Sequence, residues 1–248
     1  MYDYKKKGKE YNVNSQRIFE GEYLYNKQWN GKGYDENGNI IYEIKNGNGK
    51  VREYYFNGKL KFEGEYLNGK RNGKGKEYDL YGHVAFEGEF LNGKRNGKAK
   101  QYSFNKLIFE GEYLNGQIIG KGRHYNMDGE LIYEGEYLNE KRHGKGEEYT
   151  TRLLTFQGEF LKGKRNGKGR EYYNNHLTFK GEYLNGQRNG KGKEFNNNGD
   201  IIFEGEYLNG LRNGKGKEYN ELGELIFEGE FIKGERCGRG KNLIKNKN

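Results

Sequence analysis

Proline is absent from this 248-residue chain, and cysteine and tryptophan occur once each. The single cysteine, Cys237, excludes an internal disulfide framework and any zinc site built on several cysteines. Apolar residues make up only 31% of the chain, and mean hydropathy is −1.25. No apolar run approaches the roughly 20 residues that a membrane-spanning helix needs. Alanine, valine, isoleucine, leucine and methionine are too few to fill a conventional globular interior at native density. Such a composition on its own reads as disorder. What is abundant argues the other way. There are 23 tyrosines, 14 phenylalanines and 42 glycines. Many aromatics with many glycines and no proline suit strands joined by glycine turns.

The chain repeats itself. Phe62-Glu63-Gly64-Glu65-Tyr66-Leu67-Asn68-Gly69-Lys70-Arg71-Asn72-Gly73-Lys74-Gly75-Lys76-Glu77-Tyr78 returns along its length. The aromatic that opens each copy falls at Phe19, Tyr42, Phe62, Phe86, Phe109, Tyr133, Phe156, Phe179, Phe203 and Phe227, and from Phe62 onward the spacing is 23 or 24 residues. The expected organisation is one array over residues 1–248, of about ten repeats, with a degenerate copy at 42–61 and half-copies at 6–18 and 238–241.

Each copy reads as a hairpin. Phe62 to Leu67 is the first strand, Asn68 to Gly73 supplies turn chemistry, and Lys74 to Tyr78 is the second strand. Period-2 alternation places Phe62, Gly64 and Tyr66 on one face and Glu63, Glu65 and Leu67 on the other. A glycine between two aromatics leaves bare backbone on which a neighbouring ring can lie. Gly73 and Gly75 share a face, and Glu63 and Glu65 are expected opposite Lys74 and Lys76. Tyr78 falls on the charged face unless the Gly-x-Gly stretch carries a bulge. No sustained i, i+3, i+4 apolar pattern calls for a helix. A single copy cannot bury its own face, so stability must come from stacking.

Aromatic-Glu-Gly-Glu-aromatic followed by Asn-Gly-Lys-Arg-Asn-Gly-Lys-Gly resembles the MORN (membrane occupation and recognition nexus) repeat. The match runs over about residues 6 to 241. Gly64, Gly88, Gly111, Gly135, Gly158, Gly181, Gly205 and Gly229 match the first glycine of that pattern. Gly73/Gly75, Gly144/Gly146, Gly167/Gly169, Gly190/Gly192 and Gly214/Gly216 match the later pair. Val51 and Ala99 depart from it, and Asn72, Asn166 and Asn189 stand where the family often has histidine, as His143 does here. The resemblance implies an all-β fold: an elongated, single-layer antiparallel sheet of tandem hairpins, curved into a trough. It also implies a scaffold or adaptor, often dimeric, sometimes near membranes or the cytoskeleton.

Net charge is +9, spread along the chain. Two basic runs could serve an anionic surface if they align: Lys94, Arg95, Lys98 and Lys100 in one copy, and Lys162, Lys164, Arg165, Lys168 and Arg170 in another. The Gly-Lys-Gly-Lys stretches lack the Ser or Thr and the helix of a phosphate-binding loop. His83, His124, His143 and His176 fall at different phases of the repeat and give no metal spacing. The Glu-Gly-Glu carboxylates recur in nearly every copy, whereas a catalytic pair is made once. No catalytic residue, cofactor or metal is expected, and the chain is read as a non-enzyme.

The expected function is a scaffold that binds protein partners. The alternatives are a peripheral adaptor on anionic lipid and an antitoxin-like binder of a toxin. Nucleic acid is disfavoured. Partner contact is expected where the pattern breaks, at Gln117, Ile118 and Ile119 and at Tyr42 and Ile44. Open strand edges at the two ends suggest self-association into a homo-oligomer. The expected location is cytoplasmic, with peripheral attachment to a membrane or the cytoskeleton as an extension of it.

Overall fold

The computed structural model describes residues 4–242. Every element in this range is a β-strand or a turn, and no helix occurs among the described residues. The chain divides into two compact units, Met1–Gly129 and Glu130–Asn248. The first carries the strands from Lys6–Tyr11 through Gln117–Tyr125, the second those from Leu131–Leu138 through Glu235–Asn242. Within each unit the strands pair antiparallel in chain order, in a single layer of consecutive hairpins.

The hairpin turn is tighter than the sequence suggests. It consists of Asn68 and Gly69 alone, with φ of 52° and 69°. Both lie in the left-handed region, as a two-residue type I′ hairpin turn requires. The strand therefore restarts at Lys70 and runs Lys70–Tyr78, so the expected strand start at Lys74 is corrected by four residues. Gly64 faces Gly75, yet the next registered pair is Tyr66 with Arg71. The second strand thus holds two additional residues in a bulge around Gly73, whose φ is 82°. A Cβ there would lie 2.2 Å from Glu65 Oε2. Because two residues are added, side-chain parity survives. Tyr78 stays on the charged face and donates to Glu63 at 2.6 Å.

The two repeat lengths come from two connectors. Where the spacing is 24, a five-residue loop such as Asp79 to His83 closes on itself, with Asp79 N–H to the His83 carbonyl at 2.9 Å and the Asp79 carboxylate accepting from Tyr81 and His83. Where it is 23, a two-residue turn replaces the loop, at Phe104-Asn105, Thr151-Arg152 and Asn174-Asn175, each residue at positive φ. Positive φ is unfavourable for a β-branched or bulky residue, which hides Thr151 and Phe104 from turn signals based on glycine.

The core is one layer of rings lying on glycine backbone. Phe62, Phe86, Phe156, Phe179 and Phe203 are fully buried, as is Tyr133. A Cβ on Gly169 would lie 2.5 Å from Phe156 and 3.0 Å from Tyr183, the ring of the next repeat. Both rings therefore occupy the space that glycine leaves. Where Ala99 replaces one glycine, it faces Gly88 and Gly111; where Val51 does, it faces Gly64. One strand of a facing pair can carry a side chain only while the other carries none.

The rings contact edge to face both within and between repeats. In the second unit the chain of contacts runs Tyr137, Tyr133, Phe160, Phe156, Tyr183, Phe179, Tyr207, Phe203, Phe231 and Phe227, with centroids 5.1–5.7 Å apart. Each such contact contributes about 0.5–1.5 kcal/mol beyond burial. Phe179→Ala is expected to destabilise the chain by about 3–5 kcal/mol. Leu184→Ala, at a half-exposed position of the same strand, is expected to cost under about 0.5 kcal/mol. Urea unfolding followed by circular dichroism measures both.

Candidate interaction surfaces

The two-residue turn decides what the ring face carries. With the strand restarting at Lys70, Arg71 stands opposite Tyr66 and its guanidinium lies 4.2 Å over the Phe62 ring. The same stacking recurs for Arg95, Arg142, Arg165, Arg188, Arg212 and Arg236 over the ring of their own repeat. Glu77, opposite Phe62, lies on this face too. It pairs with Arg71 at 2.5 Å and with Arg95 of the next repeat at 2.6 Å. In the second unit the pairing runs unbroken through Arg142, Glu148, Arg165, Glu171, Arg188, Glu194, Arg212, Glu218 and Arg236. Each inner arginine thus lies on a ring and between two carboxylates, one from its own repeat and one from the repeat before.

Burial pushes the carboxyls of Glu53, Glu171 and Glu194 up. The hydrogen bonds and charge of Arg71, Arg188 and Arg212, with a phenol each from Tyr66, Tyr183 and Tyr207, outweigh it and hold them below the ordinary glutamate range. The same phenols are pushed up, first by burial and then by the adjacent carboxylate.

The ladder breaks at the end of the first unit. Gln101 takes the place of the glutamate and accepts from Tyr113 at 2.9 Å. Ile118 takes the place of the arginine opposite Tyr113. His124 takes the next glutamate position, opposite Phe109, with its ring edge to face at 6.1 Å. Gln117, Ile118 and Ile119 therefore open the strand Gln117–Tyr125; the turn itself is Asn115-Gly116. Gln117 is exposed and the two isoleucines are half-buried.

Tyr42 and Ile44 are placed differently from the expectation of a contact surface. They are only 8% and 3% exposed and form the core of the shortened hairpin. The Tyr42 hydroxyl donates to Gln28 at 3.0 Å, and its ring fills the space above Gly33. The turn Asn46-Gly47 arrives only four residues after Tyr42, so this repeat has no second ring. Phe19 and Tyr42 stack at 20° rather than edge to face. Trp29 packs on the Gly47 and Gly69 turns.

Of the two basic runs, Arg95 and Arg165 belong to the ladder on the ring face, paired with Glu77 and with Glu148 and Glu171. Lys94, Lys98, Lys100, Lys162, Lys164, Lys168 and Arg170 are exposed. The first run lies in the first unit and the second in the second. The opposite face carries a row in which Glu63 registers with Lys76, as expected, while Lys76 makes its ion pair at 3.4 Å with Glu87 of the next repeat. Glu65 lies against Gly73 rather than Lys74. Asn72 has a role that composition does not reveal: its side-chain oxygen accepts from the Asn92 backbone N–H of the next turn at 3.4 Å, and Asn166 does the same for Asn185 at 3.4 Å.

The depressed carboxyls set the sign of the pH response. A group whose pKa falls on folding contributes stability above its unfolded value, about 4.3 for glutamate, and loses it as pH drops through the lower folded value. Thermal melting is expected to be level from pH 7 to about 5 and to fall steeply below about 4. Arg188→Ala, which uncovers Phe179 and removes one partner each from Glu171 and Glu194, is expected to cost about 1–3 kcal/mol and to flatten that acid limb. Melts across pH 3–7 on both proteins check this.

The MORN repeat family profile matches residues 62–79, 86–106, 133–151, 156–178, 179–201, 203–220 and 227–241. A search of the curated proteins finds no match. Among solved structures the chain is similar to "Crystal Structure of TcdB2-TccC3-TEV", at 14% identity and a TM-score of 0.23; the alignment covers 80% of this chain and 13% of the other. The repeat matches, together with glycine-seated rings in consecutive hairpins, make this chain a member of the MORN repeat family.

Proposed function

We propose that the chain is a non-enzymatic scaffold that binds a protein partner through positions where its repeat departs from itself. The repeated side chains already have work inside the lattice. Rings sit on glycines, arginines on rings, glutamates between arginines, and the asparagines equivalent to Asn72 join neighbouring turns. Regular copies thus offer mostly balanced polar surface, and distinctive chemistry is confined to the breaks. The observation that carries this reading is the run Gln101, Ile118 and His124, where an amide, an aliphatic chain and an imidazole replace glutamate, arginine and glutamate. With Ile119 and Gln117 beside it, this is a neutral, partly apolar segment in an otherwise charged lattice. A cytoplasmic location is part of the proposal.

The double variant Gln101→Glu with Ile118→Arg rebuilds the regular rung and is expected to melt at or above the wild-type temperature. It is expected to lose the partner that the tagged wild-type chain captures from its native lysate, read by mass spectrometry. Equal capture of the same partner by both chains rejects this surface.

A further inference from the structure

We propose that the cations Arg170, Lys180 and Lys193 of the second unit form a docking site for a short acidic segment of a protein partner. The inference deepens the scaffold reading and rests on it. Along the face opposite the rings, the residues after the first ring and after the last glycine of each repeat stand in one cross-strand row. In the first unit this row alternates in sign at every registered position: Lys9, Glu20, Lys32, Glu43, then Arg52, Glu63, Lys76, Glu87, Lys100, Glu110, Arg123. In the second unit the alternation fails. Glu134 faces Glu147, a like-charged pair of the other sign; Glu147 faces Gln157, Gln157 faces Arg170, Arg170 faces Lys180, and Lys180 faces Lys193, before Glu204, Lys217 and Glu228 resume the pattern.

Like charges directly opposed on a sheet destabilise it, whereas opposite charges in the same places stabilise it. The row therefore forgoes here what it gains elsewhere. Lys193 retains a carboxylate, Glu204 at 2.9 Å. Arg170 and Lys180 have none within ion-pair distance among the described residues, and all three cations are exposed.

A second substitution accompanies the first. Tyr78, Tyr125 and Tyr219 each donate their hydroxyl to the row glutamate of their own repeat, at 2.6, 2.7 and 2.9 Å. In the repeat where that glutamate is Lys180, the tyrosine is Phe195. Acceptor and donor have left together, and a half-buried phenyl ring remains beside the cations. The repeat has lost a whole structural pair, leaving positive charge next to an apolar ring.

The size of the patch selects its occupant. Three strands at about 4.8 Å spacing give a row of roughly 10 Å. Glu147 lies beyond Gln157 on one side and Glu204 on the other, and Glu182, facing Lys168, lies toward the hairpin turns. A broad anionic surface, a bilayer or a polynucleotide, would meet these carboxylates as well. An extended peptide with acidic residues two apart sets its carboxylates roughly 7 Å apart on one side. That span fits within the row, and an apolar residue two positions beyond the acidic pair, on the same side of the peptide, can meet Phe195.

The probe is a fluorescein-labelled hexaglutamate peptide, read by anisotropy against the whole chain at low ionic strength. Wild type is expected to bind it and to weaken as salt is raised. Lys180→Glu with Phe195→Tyr restores the pair seen at Glu204 and Tyr219. This variant is expected to melt at or above the wild-type temperature and to bind at least roughly tenfold more weakly. Lys70→Glu, an equal change in net charge at an exposed position beside a hairpin turn of the first unit, is expected to leave affinity within about twofold. Absence of wild-type binding overturns the proposal, as does equal loss in both variants. Tighter, Lys180-dependent binding to a single-stranded oligonucleotide or to phosphatidylserine vesicles overturns the assignment to a protein segment. If the peptide fails while the partner whose capture depends on Ile118 is still retained, this site falls and the scaffold reading stands.

Discussion

An aromatic ring seated on the bare backbone of two facing glycines is the contact on which the rest of this protein depends. A single-layer sheet has no second layer to bury its apolar face against, so it must find an interior within its own thickness. Removing both Cβ atoms from a facing pair lowers the floor enough for a ring to lie there. The ring of the following repeat then closes over the same place, as Tyr183 does beside Phe156 above Gly169. Burial is complete at Phe156 and Phe179 although only 31% of the chain is apolar. Cooperation between repeats follows directly, because each seat is shared by two of them.

The polar groups complete that interior. A guanidinium stacked on a ring both covers it and presents its nitrogens sideways to carboxylates of two successive repeats. Such pairs are less exposed than ordinary surface ion pairs, and pairs of that ordinary kind contribute little. Their strength here comes from being fastened to a ring beneath and a phenol alongside. On the opposite face some row glutamates keep a phenol, as Glu63 does Tyr78, but their cation partners come less close. The lysines and arginines of that face pair loosely with glutamates across strands, at 3.2–3.6 Å in most of the first unit. The two faces therefore have different freedom to change. A substitution on the ring face disturbs the seat, whereas one on the other face mainly alters the pattern of charge. Arg170 and Lys180 lie on the permissive face. Ile118 lies on the restrictive one, where His124 and Gln101 have changed along with it.

Much of this was legible in the order of residues. The hairpins, the glycine seats, the absence of helices among the described residues and the shared face of Phe62 and Tyr66 follow from period-2 alternation and from a repeat of 23 or 24. The ladder was not legible, because Arg71 lies in a stretch, Asn68 to Gly73, whose composition reads as turn throughout. Only the observed two-residue turn releases it into the strand. Tyr42 and Ile44 looked like an exposed irregularity because their repeat lacks Glu-Gly-Glu. They are buried because the hairpin shortened around them, with the Tyr42 ring over Gly33 and Ile44 opposite Gly31. Lys180 and Phe195 carried a signal that was available: aligned with their equivalents, Glu204 and Tyr219, they are a joint departure. Its meaning appears only when register sets Lys180 between Arg170 and Lys193.

By itself, the sequence determined that this protein is a stack of one β-hairpin motif, since composition leaves no other interior and the spacing no other element. Tertiary structure alone decided which residues of the glycine-rich segment are turn and which are strand. It also decided that a bulge adding two residues preserves parity, and which charges stand opposite one another. The physical reason is the same in each case. Strand periodicity is a local property of the chain, whereas register and bulge position are settled by how a ring fits its glycine seat on the neighbouring strand.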